Sequence, residues 1–379
     1  MHAVVVGGGI AGLATAVGLG RAGWRVTVLE RQPELSAAGA GILLWPNALY
    51  ALDALGLGEQ TVRAGVENRG DGGVRAPDGS WLSRINGADL ERRLGRAAVT
   101  IHRAELHRIL VAGLADGTEV RTNAEVTAVP DEGDLVVVAD GIHSALRRQL
   151  APESRIRDSG QVAWRAVTPG EFDLSAGGGE TAGRGWRFGL ASVGPRGVYW
   201  YAAGPGPLRT TSPADQLAEL RRLFAGWHDP IPALLAAARP EQLLHHQLAD
   251  LDPVPPMRYG IRIALMGDAA HAMTPNLGQG AAQALEDAVT LIADVAGGDL
   301  AGGLARYDAA RRPRGARYVR DSRRAGQVFG ATGRAACALR DLVLRATPGR
   351  VALAQAAKTA GWRAPALPVA QRPERGLGA

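Results

Sequence analysis

Three glycines constrain the opening of this chain more than any other feature. Gly7, Gly9 and Gly12 stand between an apolar run, His2 to Val6, and a helical pattern from Ile10 to Ala22. In a strand–turn–helix context each does something different. Gly7 permits the tight turn, Gly9 lets the backbone approach a pyrophosphate, and Gly12 lets helix and strand pack closely. The helix start then offers unpaired N–H groups and a partial positive charge to phosphates. Gly23 closes the helix, and Trp24 to Glu30 reads as a second strand. Glu30 falls eighteen residues beyond Gly12, placed to accept a hydrogen bond from a ribose 2′-OH. Its neighbour Arg31 is counted with it as a candidate nucleotide contact. The pattern predicts a βαβ dinucleotide site and does not by itself choose the dinucleotide.

Further along, Asn47 to Leu55 reads as a helix ending at Gly56. Val74 to Ile85 reads as a hairpin around Pro77-Asp78-Gly79, and His102 to Ala115 as a helix with Arg103 at its start. Val120 to Val138 is expected to be a compressed strand region. Strands with aromatics and glycine turns follow from 160 to 203, then helices at Pro213–Phe224 and Ile231–Ala238. A strand is expected at Ile261–Met266 and a long helix at Gly280–Val295, with arginine-rich helices beyond 304. The tail after Trp362 reads as frayed.

A length of 379 residues with 46% hydrophobic and 21% charged residues suits a globular protein of two or three packed units. The lone cysteine, Cys337, excludes an internal disulfide and any CxxC pair, so disulfide reductases are out and a reducing, cytoplasmic setting is expected. The apolar N-terminal run is broken by glycines and Arg21, so no membrane span is expected. The net charge is +6, yet the arginines are scattered among acids without a basic aromatic stripe, and nucleic-acid binding is not expected. No metal site is expected.

Two later segments choose the cofactor. Asp140-Gly141-Ile142-His143-Ser144-Ala145-Leu146-Arg147 fits a DGxxSxxR pattern. Gly267-Asp268 opens a second one that continues through Pro275-Asn276 to Gly278-Gln279-Gly280. With the glycine loop before them, these segments resemble the single-component (group A) FAD-dependent monooxygenases, the para-hydroxybenzoate hydroxylase-like family, over about residues 1 to 325. The resemblance implies an α/β fold. A Rossmann-like FAD-binding domain would span 1–158 and 261–303, a β-sheet-rich substrate insert 159–260, and a C-terminal helical segment 304–379.

It also implies FAD as cofactor, with Asp140 and Arg103 as contacts. Asp268 would hold the ribityl hydroxyls, Pro275 would lie beside the isoalloxazine, and the N–H groups of Ala281 and Ala282 would face its pyrimidine edge. Gly278 and Gly280 open the helix whose dipole would favour negative charge there. Gly41, in Gly39-Ala40-Gly41-Ile42, resembles the family loop beside the flavin, where small residues would leave the ring room to shift. By the same resemblance NAD(P)H reduces the flavin and O2 forms a C4a-hydroperoxide that hydroxylates or epoxidises a small electron-rich aromatic substrate. His271 reads as structural, the β-hairpin before Asp140 as shortened, and the molecule as a monomer or homodimer.

On the substrate side, strand alternation turns Arg187 and Phe188 opposite ways, and likewise Tyr199 and Trp200. Arg187 and Tyr199, with Pro275 and Asn276, are the candidate catalytic-site residues. Gly183-x-Gly185-x-Arg187 and Tyr199, with Phe224-Ala225-Gly226-Trp227, are similar to FAD-dependent urate hydroxylases; Asn276, where those carry aspartate, departs from them. Three alternatives stay open: purine oxidation, a flavin-dependent reductase, and a non-catalytic FAD-binding protein. A flavin-dependent halogenase needs a core lysine, and Lys358 is the only lysine.

Overall fold

The computed structural model describes residues 1–35, 39–175, 177–206 and 212–368. Its first sheet runs in the order Arg258–Tyr259, Ile263–Leu265, Leu135–Val138, His2–Val6, Arg25–Leu29, Glu119–Arg121. All neighbours are parallel except the antiparallel edge strand Arg258–Tyr259. The central strands are buried runs of valine and leucine, as a sheet covered on both faces requires. Helix Ile10–Arg21 packs on Gly280–Val295, closely enough that a Cβ at Gly18 would lie 2.2 Å from Ile292.

The second sheet is ordered Leu244–Asp252, Arg155–Thr168, Val198–Pro205, Arg187–Ser192, Gly179–Ala182, Asp71–Arg75, Trp81–Asn86. The hairpin at 71–86 thus joins the sheet of the insert, through a parallel pairing of Asp71–Arg75 with Gly179–Ala182. Helices Pro213–Leu223 and Ile231–Ala237 cover the back of this sheet, enclosing Trp164, Phe188, Trp200 and Phe224. A third sheet joins Gly41–Leu44, Ala98–His102 and Val66–Asn68. The chain then runs through three helices, Leu300–Phe329, Arg334–Ala346 and Gly349–Ala360. No helix among the described residues is long and apolar enough to cross a membrane.

Three local expectations are corrected. The stretch 120–138 holds strands only at its ends, Glu119–Arg121 and Leu135–Val138, and these are not hairpin partners, because two other strands lie between them. The intervening residues include Asn123 at φ 52°, Pro130 and Gly133, which break extended pairing. Gly41 is not in an open loop but begins a strand, since Ile42, Leu43 and Leu44 pair with Ile101, Thr100 and Val99 respectively. Finally, the segment after Trp362 is held down as far as residue 368. Trp362, Ala364 and Leu367 pack on the main core, and Arg363 lies 3.8 Å above the Tyr50 ring. Residues 369–379 lie outside the described residues.

A buried charge network fastens the long C-terminal helix to the unit built on the first sheet. Arg311 Nε donates to Asp287 Oδ1 (2.7 Å), and its Nη1 pairs with Glu286. Arg314 closes a bidentate pair on Glu286 at 2.6 and 2.8 Å. The other Asp287 oxygen accepts from the Gly267 N–H (2.9 Å) and from His271 Nε2 (2.6 Å). Arg311, Asp287 and His271 are all within 1% of full burial.

Burial lowers the His271 pKa, but the Asp287 charge and hydrogen bond outweigh it and hold it above the ordinary 6.5. A group with a raised folded value stabilises fully below its ordinary value and loses that contribution as pH rises through the raised one. The thermal midpoint should therefore fall on the alkaline side, and His271→Gln should flatten that limb; an unchanged pH profile would remove His271 from this role. Arg311→Met takes one charged partner from each of two buried carboxylates and should cost about 3–5 kcal/mol. A wild-type denaturation midpoint in that variant would show that the network is not structural.

Candidate active site

At the amino end, the three glycines are required for different reasons. Gly7 has φ +107°, and a Cβ there would lie 2.4 Å from the Ala139 carbonyl oxygen. A Cβ at Gly12 would lie 1.9 Å from the Gly7 oxygen. Gly9 is the opposite case, because a Cβ would meet nothing within 4 Å. It faces open space at the start of helix Ile10–Arg21, whose first N–H groups receive no side-chain cap. The protein therefore tolerates a side chain at Gly9; only an occupant of the space would not. Glu30 Oε2 accepts from the Gly8 N–H (2.7 Å) and Oε1 from the Gln32 N–H (2.8 Å). The carboxylate thus braces the glycine loop. Arg31 beside it is exposed. Buried His107, which no motif singles out, donates from Nε2 to the Gly8 carbonyl (2.8 Å).

The middle of the cleft is built by the two later segments. Asp140 Oδ2 accepts from the Ala145 N–H (3.2 Å), while its buried Oδ1 has no protein partner. Burial pushes its carboxyl up, against the pull of Ser144 and nearby backbone N–H groups. Ser144 caps the helix Ala145–Leu150 by accepting from the Arg147 N–H (2.9 Å). Arg147, the last residue of the DGxxSxxR pattern, is buried with Nε and Nη1 unpartnered, and its charge faces Asp140. The pattern alone gives it no role.

Asp268 opens the helix Asp268–His271 and is exposed to solvent. The protein packed around it still pushes its carboxyl up, opposed by His271 and Arg103. Arg103 is exposed, its N–H donating to the Ala40 carbonyl (2.8 Å). Pro275–Leu277 forms a short 3-10 turn ending at Gly278, φ +60°, where a Cβ would lie 3.3 Å from Trp45 Nε1. That indole nitrogen is buried without a partner. Gly280 has nothing within 4 Å of a Cβ, and helix Gly280–Val295 begins there without a side-chain cap, followed by half-buried Ala281 and buried Ala282. Two uncapped helix starts, an orphaned Asp140 oxygen and two open glycine positions all fit an elongated dinucleotide with FAD's phosphates and ring system.

The substrate candidates come together on one face of the second sheet. The register places Arg187 opposite Ala203, Gly189 opposite Tyr201 and Ala191 opposite Tyr199. Arg187, Tyr199 and Tyr201 therefore share the face turned away from the aromatic core. Arg187 is 2% exposed. Its Nη2 donates to Asn276 Oδ1 (2.7 Å), and Asn276 Nδ2 donates to Thr274 Oγ1 (2.9 Å) and the Ser322 carbonyl (2.8 Å). Burial pushes the Tyr199 hydroxyl up, with Arg165 pulling the other way.

A Cβ at Gly41 would lie 2.3 Å from the Tyr199 ring, so it is Tyr199 that occupies the space glycine leaves there. By contrast, Phe224 and Trp227 pack edge-to-face at 4.6 Å in the rear aromatic cluster. A separate cleft of about 510 Å³, between 251–254 and the long C-terminal helix, contains none of the candidate residues.

A family model for the FAD binding domain matches residues 1–136 and 132–322. The chain belongs to the single-component FAD-dependent aromatic monooxygenases. This hydroxylase is 35% identical over 362 residues to an aurachin C monooxygenase/isomerase of Stigmatella aurantiaca, covering 90% of this chain and 93% of that one. It is 37% identical over 316 residues to a 2-heptyl-3-hydroxy-4(1H)-quinolone synthase of Pseudomonas aeruginosa, covering 77% and 80%. Among solved structures, Klebsiella pneumoniae HpxO with FAD and uric acid superposes with a TM-score of 0.85 at 28% identity, covering 95% of this chain and 96% of that one.

The monooxygenase's cofactor loop can be tested by contrasting two glycines. Gly9→Val should keep the FAD-free fold and lose the yellow colour, whereas Gly12→Val should destabilise the fold itself. Full FAD binding by Gly9→Val would sink the assignment. Glu30→Ala removes a charge-assisted acceptor worth about 1.5–3 kcal/mol and should weaken FAD about ten- to a hundredfold; unchanged affinity would move Glu30 out of the site.

Proposed function

We propose that this chain uses NAD(P)H and O2 to hydroxylate (or epoxidise) a small, electron-rich aromatic or heteroaromatic ring. The observation that carries the reading is the 2.7 Å bond from Arg187 Nη2 to Asn276 Oδ1. It brings the open face of the second sheet against the turn that leads into the Gly280–Val295 helix, so a ring lying on that face would lie beside the flavin position. Hydride acceptance from the nicotinamide and activation of O2 are what bound FAD supplies.

The chain's own groups do the rest. Gly7, Gly9 and Gly12 with Glu30, Asp140, Arg103 and Asp268 would hold the cofactor along the cleft. The N–H groups of Ala281 and Ala282, at an uncapped helix start, would favour negative charge on the ring edge next to Pro275. Tyr199, whose hydroxyl burial pushes up, would hydrogen-bond a ring oxygen of the substrate and fix its orientation. Its ring, packed against Gly41, would take up one wall of the cleft.

The 2-heptyl-3-hydroxy-4(1H)-quinolone synthase among the relatives favours a bicyclic nitrogen heteroaromatic. Urate is the second reading, supported by Arg187 and Tyr199 on one face and by the uric acid held by HpxO. Quinolones, phenols, aromatic acids and purines should be screened for stimulated NAD(P)H oxidation with matched O2 uptake and a hydroxylated product. Hydride use without O2 would point to a reductase, and no stimulation by any ring to a binding protein; either outcome overturns the proposal. Tyr199→Phe, losing one hydrogen bond of about 0.5–1.5 kcal/mol, should lower kcat/KM about three- to tenfold.

A further inference from the structure

On the same face, one strand further out, sits a carboxylate outside the cofactor and substrate contacts described above. Glu180, in strand Gly179–Ala182, pairs across the sheet with Gly189, and Gly189 pairs on its other side with Tyr201. A Cβ at Gly189 would lie 2.0 Å from the Tyr201 ring, so the phenol lies flat across that strand. From there its hydroxyl donates to Glu180 Oε2. The glycine, the tyrosine and the carboxylate form one arrangement across three strands, and its effect is to fix the Glu180 side chain in place.

The group it is fixed beside is Arg187, whose Nη1 is 3.7 Å from Glu180 Oε2. Arg187 Nη2 is already engaged, at 2.7 Å from Asn276 Oδ1 and 3.5 Å from Gln161 Oε1. The side chain of Arg187 is 3% exposed and that of Glu180 is 17% exposed. The guanidinium is the hidden member of the pair and the carboxylate the open one.

We infer that Glu180 is a specificity-determining residue, which cancels the charge of Arg187 so that this end of the substrate space takes a neutral, planar heteroaromatic with an N–H donor and turns away a carboxylate. The inference rests on the proposed reading of this face as the substrate side. An incoming carboxylate would meet Glu180 before it met Arg187, and two like charges in a partly buried site oppose one another. A ring N–H has no such conflict, since Glu180 can accept from it while Tyr199 bonds a ring carbonyl. Discrimination then comes from a repulsive element built against the wrong ligand as much as from attraction to the right one. Arg165, a further cation of this face, has no carboxylate partner among the described ion pairs; its charge acts on the Tyr199 hydroxyl, and it lies 3.4 Å from His246 Nδ1. It is the same in every variant below, so the comparison reads Glu180 alone.

The test is a pair of matched probes, unsubstituted 4-quinolone and its 2-carboxylate, titrated into the FAD-loaded protein and followed by the flavin absorbance difference. The wild type should bind the neutral probe about tenfold or more tighter than the anion, and Glu180→Gln should shrink or reverse that ratio by about tenfold. Tyr201→Phe removes the brace but keeps the charge, and should preserve the wild-type preference. Equal or tighter binding of the anion by the wild type, an unchanged ratio in Glu180→Gln, or binding of neither probe would overturn the inference. A protein that shows the ratio but no ring-stimulated NAD(P)H oxidation would leave the inference standing and overturn the proposed reaction instead.

Discussion

The arrangement of this hydroxylase depends on burying Arg311 between Asp287 and Glu286. Three full charges in a nearly dry interior are tolerable only when each is paired and its remaining hydrogen-bonding capacity is met. Here the second oxygen of Asp287 is taken by the Gly267 N–H and His271, and Glu286 is shared with Arg314 and Asn47. The network therefore decides more than the docking of a C-terminal helix. By holding Gly267 it fixes the turn from which Asp268 emerges. By holding Glu286 and Asp287 it fixes the rotation of the helix Gly280–Val295 and the aim of its uncapped start.

A similar arrangement anchors the second sheet. Asp250, fully buried, receives a fork from Arg157 on the neighbouring strand and another from Arg323 on the long helix. One helix, Leu300–Phe329, is thus pinned to the nucleotide-binding unit near its middle and to the second sheet near its end. The relative position of the two sheets follows from those two pins, and with it the distance from Arg187 to Asn276.

What the sequence made legible was local. Glycines needed for a turn, a close approach or an open ligand space leave a fixed spacing, and an apolar run ending in a helical pattern identifies the strand and helix around them. The opposite orientation of Arg187 and Phe188 also follows from strand alternation, and the register agrees with it. Contacts formed across the sheet or between units left no such trace. Glu180 and Tyr201 are twenty-one residues apart, Arg187 and Asn276 eighty-nine, and only strand order brings each pair together. His107, Arg147 and Asn47 look like ordinary helix residues until the burial of their polar atoms is seen. The strand at Gly41–Leu44 was hidden for a related reason: its partner, Ala98–His102, lies more than fifty residues away. The glycines before it suggested a loop.

The two faces of the second sheet carry separate burdens. Trp164, Phe188 and Trp200 point back into a packed aromatic layer, while Glu180, Arg187, Tyr199 and Tyr201 lie on the opposite face. Neighbours along one strand therefore answer to different constraints, one to packing in the aromatic layer and the next to contacts on the open face. A lineage can exchange forward-facing side chains one at a time without opening a void behind them. The sheet is in that sense a keyboard on a rigid frame, and a change of substrate need not put the fold at risk.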